Sequence, residues 1–207
     1  MPTFSSFAST LASSRKLAKT IASPPLQLVS SSPGKGMLVV IDAGVEEADA
    51  LAAGLIDGAK LLMLDAERDA IAQITEAISQ FKMQSLHIVT HGSPGHLHFS
   101  SGDLTLFNLP KYADQIESWF EDRRVHRKSK AKTKDSASFL SFYACNLAKG
   151  EAGAAFIEHF QYLTGVSLHA AKHRVSSSSA GGSWQLEVSY PFPHQAKFPF
   201  TEDLLAS

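Results

Sequence analysis

The chain has 207 residues, 44% hydrophobic and 19% charged, with a formal net charge of −1 and one cysteine. That length suits one α/β domain with extensions, and the near-neutral balance gives no whole-chain attraction to nucleic acid or anionic membrane. No run approaches the roughly 20 apolar residues of a membrane span, and a single thiol excludes an intrachain disulfide framework.

Residues 1–36 form a Ser/Ala-rich leader. Met1 to Ile41 contains no Asp or Glu but carries Arg15, Lys16, Lys19 and Lys35. Such a segment suits an organellar transit peptide or a disordered tail, and a short amphipathic helix over Phe7 to Ile21 is a further reading.

From Met37 short apolar runs alternate with amphipathic stretches. Met37 to Ile41 predicts a buried strand ending at Asp42, and Lys60 to Leu64 a second ending at Asp65. Between them, Val45 to Ile56 is alanine-rich and predicts a helix that Gly54 weakens. Ile71, Ile74, Ile78 and Phe81 recur at three- and four-residue intervals, which predicts a helix over about 69–80 leading into a strand over Leu86 to Thr90. This succession implies parallel pairing, right-handed crossovers and helices on both faces.

His91-Gly92-Ser93-Pro94-Gly95 predicts a turn. Leu97 and Phe99 alternate with His96 and His98 as in a short strand, with Leu104 to Leu106 as its antiparallel partner, and Pro110 to Phe120 predicts a helix. A basic insertion over about 121–136 follows; Glu121 to Lys134 holds four Lys and three Arg. It suits a solvated loop, a docking element for an acidic partner or a proteolytic site. Ala137 to Ala144 predicts a strand, Ala152 to Leu163 a helix ending near Gly165, Val166 to Ala170 a strand, and Trp184 to Val188 a final alternating strand. The domain is thus expected over 37–190, with 191–207 as an irregular tail.

The candidate chemistry sits at two strand ends. The run Phe139 to Ala144 leads into Cys145, and Leu86 to Thr90 leads into His91-Gly92, 54 positions earlier. Parallel α/β sheets place ligand sites at the carboxyl ends of strands, so neighbouring strands would bring imidazole and thiol together. An imidazole can deprotonate a thiol for attack on a carbonyl, and the amides of Gly92 and Cys145 could hold the oxyanion. Patterning alone leaves a Cys-His dyad and a buried structural thiol both open.

Other chemistries find less support. His91, His96 and His98 invite a metal reading, but no cysteine lies nearby, and neither a metal nor any other cofactor is expected. The Gly-x-Ser-x-Gly turn of serine hydrolases is absent, as are Gly-x-Gly-x-x-Gly and phosphate-binding loops.

At Val40-Ile41-Asp42, Leu64-Asp65, His87 to Gly95, Tyr143-Ala144-Cys145-Asn146, Leu163-Thr164-Gly165 and Gly181 to Glu187, the chain resembles a bacterial domain of unknown function. That domain is found near the amino end of large secreted proteins with cadherin-like or calcium-binding repeats, and the resemblance runs from about Leu38 to Val188. The family is itself similar to the caspase–haemoglobinase cysteine peptidases (clan CD), of which the caspases carry their histidine roughly 50 residues before the cysteine. The resemblance implies a caspase-like three-layer α/β sandwich with a mostly parallel central sheet and helices on both faces. It implies His91 as base, Cys145 as nucleophile and the Gly92 and Cys145 amides as oxyanion hole.

The activity implied is that of a cysteine endopeptidase acting on a peptide or protein substrate, open to self-processing. The alternative is a catalytically inactive interaction module of a secreted or surface-associated protein; cytoplasmic or organellar placement stays open. The caspase Gln-Ala-Cys-Arg-Gly signature is here Tyr143-Ala144-Cys145-Asn146-Leu147, so the caspase specificity pocket does not carry over. Asp42, at the end of the first strand, is a candidate for recognising a basic substrate residue, with a structural cap as the competing role.

Overall fold

A computed structural model describes residues 36–80, 82–121, 138–191, 197–201 and 204. The acid-free leader, apart from Gly36, and the basic insertion, apart from Glu121, lie outside them.

A six-stranded sheet runs in the order β2-β1-β3-β7-β8-β9. Its strands are β1 (Gly36–Ile41), β2 (Ala59–Met63), β3 (Met83–Val89), β7 (Phe139–Tyr143), β8 (Ser167–Ala170) and β9 (Val188–Tyr190). Every pairing is parallel except that of β8 with β9. β1 reads as an unbroken apolar run, and β3 and β7 are apolar save for Gln84, Ser85, His87 and Ser141, because both sides of the sheet are covered.

One face carries Leu38, Val40, Leu86, Ile88, Leu140 and Phe142. Against it pack α2 (Ala70–Ser79), α3 (Ala113–Ser118) and α4 (Gly150–Thr164), through Ile74, Ile116, Phe156 and Phe160. The opposite face carries Val39, Ile41, Val89 and Tyr143, covered by Leu51 of α1 (Ala48–Ala53) and by Phe200. The result is the expected three-layer α/β arrangement.

Local chemistry sets the helix ends. Asp69 caps α2 by accepting the Ala72 amide at 2.9 Å, leaving the Ile71–Ile74–Ala77 stripe to the core. Gly165 ends α4 in the left-handed conformation, φ 67°, where glycine carries no Cβ penalty. The first helix is shorter than its alanine content predicts. Glu47 adopts φ 59° at its start, and Gly54 closes it, its amide donating a hydrogen bond to the Ala50 carbonyl.

Two expectations are corrected. His91–Ser93 is not part of a turn but β4, which pairs antiparallel with β5 (His96–Phe99), itself paired with β6 (Gly102–Thr105); only Pro94-Gly95 turns. The final strand is Val188–Tyr190 rather than Trp184 to Val188, because the exposed edge of β8 pairs with those three residues while Trp184 joins an aromatic cluster with Tyr143, Phe198 and Phe200.

Candidate functional site

The site forms where β3 and β7, adjacent and parallel with Val89 opposite Tyr143, release the chain at their carboxyl ends. The Thr90 amide donates to the Tyr143 carbonyl, the last rung before the strands part. Beyond it β3 turns into β4 and β7 turns toward α4. His91 and Cys145 are thereby placed on the wall of one cavity of about 550 Å³, with Glu46, Arg174, Val175 and Trp184.

His91 is held from the far side of the cleft. Its Nε2 lies 3.0 Å from the carbonyl oxygen of Gly44. A carbonyl only accepts, so Nε2 carries the proton and the neutral ring keeps its lone pair on Nδ1. Gly44 is itself fixed by Asp42. The Asp42 carboxylate, 2% exposed, accepts the Gly44 amide at 3.0 Å, the Ser100 amide at 3.0 and 3.1 Å, and the Ser100 hydroxyl at 2.7 Å. Asp42 stands off the cavity wall, and its acceptors are committed to Gly44 and Ser100. A side chain at position 44 would meet the Ser100 hydroxyl at 2.7 Å, so the close approach requires glycine.

Cys145 is half-buried on the turn after β7. The residue after it, Asn146, adopts φ 57°, a left-handed conformation that few residues other than glycine accept and asparagine tolerates best. The Asn146 amide donates to the His173 carbonyl at 2.8 Å, and its own carbonyl accepts from Lys149 at 2.9 Å. Local strain of this kind collects at functional sites, and Glu47, the other non-glycine residue with positive φ among the described residues, lies on the same cavity wall.

The thiol meets the backbone of Val175. The Val175 amide donates to Sγ at 3.3 Å, and the thiol is 3.6 Å from the Val175 carbonyl. His91 and Cys145 share the cavity without a hydrogen bond between them.

Gly92 is fitted to this junction. A Cβ there would stand 2.8 Å from the Ala144 Cβ and 3.0 Å from the Cys145 carbonyl oxygen. The two-residue loop makes Ser93 and His96 the closing hydrogen-bonded pair, and the alternation of an antiparallel ladder then turns the Gly92 amide away from β5. The Cys145 amide has no acceptor among the described residues. Neither amide thus has an acceptor among the described residues.

Gly44 and Val175 were not signalled by the sequence, since each acts through its backbone. Of the other candidates, His96 and His98 share one face of β5 with rings 5.9 Å apart, and among the described residues no three His, Cys, Asp or Glu side chains converge as a metal-ligand set.

A family model described as a domain of unknown function (DUF4347) matches residues 38–207, and the chain belongs to that family. No curated protein matches it.

Proposed function

We propose, taking membership of that family as the premise, that the chain is a caspase-like cysteine peptidase that cleaves a peptide bond with Cys145 as nucleophile and His91 as base. The observation that carries this reading is the shared cavity at the carboxyl ends of β3 and β7, with the imidazole fixed in one tautomer by Gly44. The order of the six strands and the uncommitted amides support it further.

In this mechanism Nδ1 of His91 takes the thiol proton as Sγ attacks the substrate carbonyl. The Gly92 and Cys145 amides receive the oxyanion, a contribution worth about 10² to 10³ per donor in a well-studied protease. The imidazolium returns the proton to the departing amine. Water, deprotonated by the same ring, then hydrolyses the thioester. The bond from the thiol to the Val175 carbonyl must break as the substrate arrives.

That same contact, with the missing hydrogen bond between thiol and imidazole, favours the second reading, a non-catalytic interaction module. Mass spectrometry of the full chain and of Cys145→Ala, each with calcium and a broad peptide library, separates them. Cleavage by the parent and none by a folded Cys145→Ala is the expected result. Equal processing by both sinks the peptidase reading; no cleavage by either, with Cys145 alkylating no faster than a free thiol, supports the module.

A further inference from the structure

The β4-β5-β6 sheet has two unlike faces. Leu97, Phe99 and Leu104 turn inward and are buried. The outward face carries Ser93 on β4, His98 on β5 and Asp103 on β6. His98 pairs directly with Asp103 across one ladder and with His91 across the other, so that Ser93 lies two positions along the neighbouring strand on the same side.

The three side chains form a hydrogen-bonded relay. Ser93 Oγ lies 2.8 Å from His98 Nε2, and His98 Nδ1 lies 2.8 Å from Asp103 Oδ1. A carboxylate offers acceptors only, so Nδ1 carries the proton and donates to Asp103. In the neutral ring Nε2 then holds the lone pair and accepts the Ser93 hydroxyl. This is the order of roles by which an acidic side chain orients an imidazole and the imidazole activates a hydroxyl, and such relays are recognised by geometry rather than by sequence position. No Gly-x-Ser-x-Gly turn builds it. A flat ladder does, locked from beneath by its apolar face.

We propose that Ser93 is a second nucleophile, independent of Cys145, that accepts acyl groups from small activated esters. Ser93 Oγ attacks the ester carbonyl, forming the Oγ–C bond while the ester C–O bond breaks. The hydroxyl proton passes to His98 Nε2 and from there to the leaving oxygen. Water then attacks the acyl-serine, releasing the acid and restoring the hydroxyl.

The surroundings decide the substrate class. The His98 and Asp103 side chains are 35% and 52% exposed, so small reagents reach the relay. The Ser93 amide is committed to the closing pair of the hairpin and is no oxyanion donor. A missing donor forfeits about 10² to 10³ in rate, which puts unactivated amides out of reach and leaves good leaving groups.

The test uses the full chain carrying Cys145→Ala, so that any adduct is free of the thiol. A fluorophosphonate probe is added; attack by Oγ forms the O–P bond and expels fluoride, and peptide mapping locates the adduct. The expected result is a stoichiometric adduct on Ser93, lost in Ser93→Ala and formed about 10²-fold more slowly in His98→Gln, in keeping with loss of a general base. Asp103→Asn, nearly isosteric and on an exposed strand, guards against a variant that fails to fold and is expected to slow labelling too. No Ser93 adduct on the folded parent, or equal labelling rates in parent, His98→Gln and Asp103→Asn, overturns the assignment.

Discussion

The Gly44 carbonyl accepts the Nε2–H of His91 at 3.0 Å, so the loop after β1 sets the tautomer of a ring that belongs to the strand after β3. Gly44 in turn hangs on the Asp42 carboxylate, which places Asp42 two hydrogen bonds from the imidazole.

Asp42→Ala tests that chain of contacts. It strips acceptors from the Gly44 and Ser100 amides and from the Ser100 hydroxyl. Hydrogen bonds to a charged group are worth about 1.5–3 kcal/mol each, and partners left buried add to the cost. A loss of about 3 kcal/mol is expected, a fall of roughly 6–12 °C in Tm for a chain of this size. On the proposed peptidase reading, kcat should drop with little change in KM. A raised KM at unchanged Tm would instead make Asp42 a substrate-recognition residue.

Gly92→Ala probes the junction from the other side. The new methyl would sit 2.8 Å from the Ala144 Cβ and 3.0 Å from the Cys145 carbonyl, with backbone on one side of the conflict. Relief requires β4 to lift from the end of β7, at a cost of about 1–3 kcal/mol. The same movement separates His91 from Cys145. On the proposed peptidase reading, activity is therefore expected to fall further than lower temperature can restore, while urea unfolding records only the modest loss. An unaltered cleavage rate would show that the Gly92 backbone need not lie so close.

How far the sequence foretold this arrangement varies with the range of the forces involved. β1, β3, β7, α2 and α4 were legible because apolar runs and the Ile71–Ile74 period report burial directly. β4 was not, since Gly-Ser-Pro-Gly chemistry favours a turn, and what makes His91–Ser93 a strand is the partner β5 and the approach of Ala144. Trp184 to Glu187 alternates like a strand but spends its tryptophan on the aromatic cluster instead. His91, Gly92 and Cys145 were legible as residue types at strand ends. Gly44 and Val175 were not, because a backbone carbonyl or amide leaves no mark in composition.

A pH dependence follows from His87. The ring is fully buried, its Nδ1 has no hydrogen-bond partner among the described residues, and Nε2 is 3.3 Å from the Ser85 hydroxyl. Burial, and then the neighbouring His169, lower its pKa from 6.5 to about 3. A depressed histidine binds its proton more weakly folded than unfolded, so the unfolded chain takes up the proton first as pH falls. Stability is therefore complete above pH 6.5 and is lost progressively toward pH 3. At pH 4.5, two units below the unfolded value, the loss from this group is about 3 kcal/mol at roughly 1.4 kcal/mol per unit. Urea midpoints at pH 8 and 4.5 measure it. His87→Leu should flatten that difference by most of this amount, and an equal acid sensitivity in the variant would assign it to other groups.

Phe200 carries the last prediction, because it ties the end of the chain to the site. It is 3% exposed, with its ring 6.1 Å from Tyr143 and 5.6 Å from Trp184, both on the cavity wall. The Thr201 amide donates to the Gly54 carbonyl and the Ile56 amide to the Pro199 carbonyl, so the segment also fastens the end of α1. Phe200→Ala removes a buried ring from a packed cluster and should cost about 3–5 kcal/mol. Phe107→Ala supplies the matched control: that ring is 96% exposed, and surface changes of this kind usually stay within about 0.5 kcal/mol. The two variants, compared by urea unfolding and by peptide cleavage, should part on both readouts. Tyr143 and Trp184 lose the ring that wedges them, so on the proposed peptidase reading Phe200→Ala should raise KM even at temperatures where the chain stays folded. Equal behaviour of the two variants would mean that the aromatic cluster neither supports the second face of the sheet nor shapes the cavity.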